Sequence, residues 1–131
     1  MKTKELVLGL LVVSLILSCG CADVVGGYIQ ISVNGNWQVT GFDALKNPMP
    51  VKTELTAVNQ GTADAKDVRV DVIFLYNNKQ ILKEQAYFGI IQAGDAKTIQ
   101  STFFLTLPEN FDGDKIEMKF GDIYSEGEKL T

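Results

Sequence analysis

"DVRVDVIFLY", residues Asp67–Tyr76, is the stretch whose reading decides the fold. Val68, Val70, Val72, Phe74 and Tyr76 recur at every second position, and Arg69 and Asp71 fall between them. Successive side chains of a strand point to opposite faces, so alternation of apolar and polar residues marks a half-buried β-strand. Ile73 and Leu75 make the second face apolar near the end of the run. That predicts a central strand, roofed there by a loop. Phe74 and Tyr76 bring the large apolar areas that a two-sheet core needs.

The same period of two extends in both directions. Asn77-Asn78-Lys79 is a turn, and Ile81–Phe88 returns as a strand. Gly89–Asp95 reads as a connector, with Gly94 suited to positive φ. Ile99, Ser101, Phe103 and Leu105 alternate until Pro108, and Ile116, Met118 and Phe120 alternate after Asp112-Gly113-Asp114. Upstream, Val51, Thr53, Leu55 and Ala57 share one face and end at Asn59-Gln60-Gly61. Tyr28–Val33 and Asn36–Thr40 flank Asn34-Gly35, the pair that best accepts a two-residue hairpin turn. Pro48 and Pro50 exclude a central strand between Gly41 and Pro50, where Phe42–Lys46 makes at most one helical turn. About seven strands result, in one all-β antiparallel sandwich over residues 28–124, followed by a polar tail at 125–131.

Within this pattern, residues 51–107 resemble the FxLYD-type immunoglobulin-like domain of envelope lipoproteins. The resemblance is carried by Asn59-Gln60-Gly61, Ala65, Val68, Phe74-Leu75-Tyr76, Gly94 beside Asp95, and Phe103. Asn77 stands where the family tends to have aspartate, and Ala93 where proline often precedes the glycine; both are turn positions. The resemblance implies an immunoglobulin-like sandwich outside the cytoplasm, often a module of larger surface proteins. It implies no shared catalytic site.

Met1–Glu5 is short and basic, and Leu6–Leu17 is apolar except for Gly9 and Ser14. This is the plan of a signal peptide, expected as an apolar leader helix over residues 1–18. An uncleaved N-terminal anchor is the alternative, since the uncharged run to Ala22 nears the length of about 20 residues that spans a bilayer. Ile16-Leu17-Ser18-Cys19 resembles the bacterial lipobox, which makes Cys19 the expected lipidated residue and new N-terminus, with Cys21 as the alternative. Residues 19–27 would then be the lipidated cysteine and its short tether. A Cys-x-Cys disulfide would close a small, strained ring. With no histidine and no third cysteine, a closed Cys/His zinc site within one chain is excluded.

The chain has 12 basic and 16 acidic residues. Without Lys2, Lys4 and Glu5 of the leader the count is 10 against 15, a net charge of −5. That balance lacks the basic stripe of a nucleic-acid binder. Zero histidine excludes Ser-His-Asp and Cys-His nucleophile systems. The expectation is a non-catalytic binding or structural module with no cofactor. Its partners would be membrane lipid, through the cysteine, and an envelope protein.

Three further sets of residues invite a site. Glu109, Asp112 and Asp114, with Glu117 beyond, offer hard oxygen donors for calcium in a calcium- or carbohydrate-binding module, although Asp-Gly-Asp is also an ordinary turn. Trp37, Tyr87 and Phe104 are candidate binding aromatics, with Trp37 weighed against packing over one end of the sandwich. Lys52, Lys83 and Lys97 read as charges that discourage strand pairing at sheet edges. A carboxylate-based hydrolase is the weakest alternative. Phe74→Asp is expected to abolish the cooperative thermal melt, because it places an unpaired charge in the core. A soluble variant melting at the wild-type temperature would overturn the assigned inward face.

Overall fold

The computed structural model describes residues 9–11, 17–18 and 27–130. Its strands are β1 (Gly9–Leu11), β2 (Leu17–Ser18), β3 (Gln30–Gln38), β4 (Met49–Asn59), β5 (Ala65–Tyr76), β6 (Lys79–Ile91), β7 (Ala96–Leu105), β8 (Ile116–Ser125) and β9 (Glu128–Leu130). Sheet A has the order β3-β4-β7, with β1 and β2 both on the outer edge of β3; sheet B has the order β6-β5-β8-β9. Every pairing is antiparallel. The chain passes from sheet A to sheet B after β4, back after β6, and across again after β7.

The two sheets enclose the core predicted by the alternation. Val68, Val70, Val72 and Phe74 are fully buried on β5, facing Val51, Leu55 and Phe103 of sheet A. The Phe74 and Phe103 rings pack with centroids 5.6 Å apart and planes tilted by 52°, a favourable aromatic geometry. Every buried apolar residue among those described lies between Ile31 and Leu130.

Several expectations are corrected. Asn34-Gly35 is not a hairpin turn. It lies within β3, where Asn34 pairs with Thr56 and Gly35 with Leu55. A Cβ at position 35 would sit 2.7 Å from Leu55 Cδ2 and 3.3 Å from the Phe120 ring, so glycine serves close packing across the core here. The missing strand is restored at the other end. Glu126-Gly127 turns with both φ positive, and β9 pairs with Ile123–Ser125 where a polar tail was expected. Leu130 is buried, and one apolar residue in a polar segment shows no periodicity. Ile73 and Leu75 are half-buried, and Ile73 Cδ1 lies against Gly121 of the neighbouring strand β8. Lys52 is on β4, a central strand, whereas Lys83 and Lys97 do sit on edge strands β6 and β7. Of the segment expected as a leader helix, residues 1–18, only Gly9–Leu11 and Leu17–Ser18 are described, as the strands β1 and β2, and the remainder lies outside the described residues. Cys19, Cys21 and most of the tether lie outside the described residues. No helix among the described residues is long and apolar enough to cross a membrane.

One end of the sandwich is organised by Asn59, which is fully buried at the end of β4. Its Nδ2 donates to the carbonyls of Ala63 at 2.9 Å and Ile91 at 3.0 Å, and its Oδ1 accepts from Gly61 N at 3.0 Å. Its main chain bonds to Asp95 O and Gly94 N. Gly61 is required beside it, because a Cβ there would lie 2.2 Å from the Tyr28 carbonyl oxygen. Asn59→Ala leaves two buried groups, Ile91 O and Gly61 N, and the half-buried Ala63 O without that partner, and is expected to cost about 3 kcal/mol. Urea denaturation should show a lower midpoint at an unchanged m-value, and an unchanged midpoint would overturn the role.

Candidate functional site

The opposite end of the sandwich carries the most exposed apolar side chains. β3 runs about 30 Å from Gly27 and Tyr28 at one end to the segment after Gln38 at the other. There, residues 39–48 and 106–115 leave sheet A side by side, because Met49 pairs with Leu105. The first of these segments makes a 3-10 turn, Asp43–Leu45, and Asp43 N donates to Thr40 Oγ1 at 3.2 Å. The turn holds Phe42 73% exposed and Leu45 74% exposed. Lys46 Nζ stands 3.2 Å from Asp43 Oδ1 and 5.9 Å from the Phe42 ring centroid. The hydrogen bond from Lys46, followed by its charge, holds the Asp43 carboxyl below its ordinary pKa. Between the two segments lies an open cleft of about 430 Å³ walled by Leu45, Asn47, Leu107, Pro108, Glu109 and Phe111.

The second wall of this cleft contains the acidic turn. Tyr76 Oη accepts from Asp112 N at 2.9 Å, and Asp112 Oδ1 accepts from Asp114 N at 3.0 Å. Asp112 is thus the N-cap of a 3-10 turn, Gly113–Lys115. Glu109, Asp112 and Asp114 are the carboxylates that the sequence offers to calcium. Among the described residues no group of three such side chains converges as metal ligands. Asp112 Oδ1 is engaged by the backbone amide that it caps.

The predicted aromatic residues separate. Trp37 is buried at 4% exposure on the inner face of sheet A and is a core residue. Tyr87 is 57% exposed on the outer face of sheet B, with the Arg69 guanidinium 5.0 Å from its ring centroid. Phe104 is equally exposed on the outer face of sheet A, opposite Pro50. Tyr87 and Phe104 therefore face away from each other across the sandwich. Phe42 and Leu45, which sequence reasoning did not select, form the more concentrated apolar patch. The signal for them was two large apolar residues in the looser piece before β4, which Pro48 closes and which Pro50, itself within β4, does not interrupt.

A second, polar trough of about 530 Å³ runs over the outer face of sheet A, past Asn36, Gln38, Lys52, Glu54, Gln100 and Thr102. Its groups are amides, hydroxyls and one charge of each sign. They can orient a polar ligand, but no nucleophile is hydrogen-bonded to a base among them.

No protein-family model matches the chain, and a comparison with curated proteins finds no match. The Asp112 geometry leads to a direct expectation. Millimolar calcium should leave the melting temperature unchanged, whereas Tyr76→Phe should lower stability by about 1 kcal/mol through loss of the bond to Asp112 N. A clear calcium-dependent rise in melting temperature would show the acidic turn gathering a cation, and an unchanged stability of Tyr76→Phe would overturn the role of its bond to Asp112 N.

Proposed function

We propose that this chain is a non-catalytic binding module held at the outer face of a membrane by a lipid on Cys19, with an immunoglobulin-like sandwich as its body. The strand order β3-β4-β7 against β6-β5-β8-β9, with repeated crossings between sheets, supports the immunoglobulin-like assignment. The N-terminal sequence supports export and lipidation. Two acyl chains on one cysteine would hold the protein stably, where one would hold it only marginally.

The observation that carries the binding role is the position of Phe42 and Leu45. They are the most exposed large apolar residues described, and they lie at the end of the body remote from Gly27. A tether that leaves the body at Gly27 directs that end away from the bilayer. Apolar side chains there meet other proteins in place of lipid. An anchor residue in a partner's pocket is the usual source of binding energy at such a patch. The neighbouring 430 Å³ cleft supplies a recess for a side chain of that partner. Catalysis is disfavoured by the absence of histidine from the sequence.

The experiment is mild cross-linking in intact membranes with the wild-type chain and a Phe42→Ser/Leu45→Ser double variant. The variant should retain the wild-type melt and lose about tenfold in cross-linked partner, the loss expected when a central anchor is truncated. Mass spectrometry should place the acyl groups on Cys19. Equal cross-linking by both chains would overturn the binding surface, and an unmodified chain still beginning at Met1 would overturn the anchor.

A further inference from the structure

β3 is the only strand after Gly27 with no charged residue in it. The other long edge strands carry charge: Lys79, Lys83 and Glu84 on β6, and Lys97 on β7. Charges along an edge discourage pairing with another chain, and a long uncharged edge without proline invites it. The edge of β3 is demonstrably receptive. Gly9–Leu11 and Leu17–Ser18 both lie along it, antiparallel, with Leu11 opposite Gly35 and Leu17 opposite Ile31. If the leader is removed at Cys19, as the proposed function requires, both of those segments leave and the edge is bared.

The sequence of β3, Gln30-Ile31-Ser32-Val33-Asn34-Gly35-Asn36-Trp37-Gln38, is close to a palindrome in polarity about its midpoint, Asn34. Ile31, Val33, Gly35 and Trp37 face the core, and Ser32, Asn34 and Asn36 face outward. An antiparallel copy centred on Asn34 sets Asn34 against Asn34, Val33 against Gly35, Ser32 against Asn36, and Ile31 against Trp37. Apolar meets apolar on the inner face and amide or hydroxyl meets amide on the outer one. No like charges are opposed, and the full length of the strand is paired. Such self-complementarity is what a twofold interface demands.

We propose that, in the leaderless chain, β3 pairs antiparallel with β3 of a second copy about a twofold axis at Asn34, joining two copies of sheet A into one six-stranded sheet. The pairing rests on leader removal for its place in the cell, but it can be tested on the body alone. Residues 27–131 contain all seven strands β3–β9 of the two sheets and no cysteine. Light scattering of that body, from micromolar to near-millimolar chain, should give twice the chain mass. Asn34→Cys should form a disulfide-linked dimer, since facing residues of antiparallel strands lie within disulfide reach. Asn34→Lys, on the outward face, should be monomeric with the wild-type melt. A mixture of Ser32→Cys and Asn36→Cys chains should cross-link to each other. A body that stays monomeric, or a dimer that survives Asn34→Lys and gives no Asn34→Cys link, would overturn the pairing. The N-terminal mass of the naturally made chain is a separate readout. A retained leader overturns the anchor reading, and a monomeric body overturns the pairing.

Discussion

The buried carboxamide of Asn59 is the constraint on which one whole end of this sandwich depends. It sits at the end of β4, where the chain must turn out of sheet A and enter sheet B. Its two donors and one acceptor fasten the carbonyls of Ala63 and Ile91 and the amide of Gly61. Those groups belong to the segment after β4 and to the end of β6. A buried polar group costs most when it is left unpaired. Asparagine is the side chain that offers both donor and acceptor at that reach, whereas an aspartate would have no hydrogens for the two carbonyls. The close approach of Gly61 to Tyr28 then ties β3 to the same knot.

The two ends of the body are consequently different in kind. The Asn59 end is closed by internal hydrogen bonds, with Thr62 Oγ1 accepting from Tyr28 N at 3.1 Å. The other end is built from a proline-limited segment and a capped acidic turn, and it leaves Phe42 and Leu45 in solvent. A tether entering at the closed end presents the open one. The proposed anchor, the binding patch and the strand-pairing edge thus occupy separate parts of the molecule. The anchor reaches the closed end, the patch sits at the far end, and the edge runs between them.

The strands of sheet B and the body of sheet A were legible because a period of two survives wherever one face is buried and the other wet. It failed at informative places. Asn34-Gly35 has the chemistry of a turn, but glycine is also wanted where two backbones or a ring approach closely, and only the position of Phe120 decides between them. The last strand was illegible because three residues with one buried apolar side chain carry no pattern. Trp37 illustrates the limit for the site. Its place in the alternation made it inward-facing, yet a lone tryptophan beside a supposed hairpin turn also reads as a surface aromatic. The acidic turn was legible as a turn, and its carboxylates were not legible as a cage or as a cap, because that depends on which backbone amide lies within reach.

The sequence by itself determined an all-β chain with alternating inward residues, an apolar N-terminal segment, an acidic body and no histidine chemistry. These are local or additive properties, readable from neighbours and counts. Tertiary structure decided that Asn34-Gly35 is mid-strand, that Glu128–Leu130 completes a sheet, that Asp112 caps a backbone, and that Phe42 and Leu45 stand free. The first depends on Leu55 and Phe120, distant in sequence, and the last on how residues 39–48 leave the sheet, whereas the β9 hairpin and the Asp112 cap are local contacts that carry no apolar period. Contacts between residues far apart in sequence belong to the folded chain alone, and short local ones without a repeat leave no pattern to read.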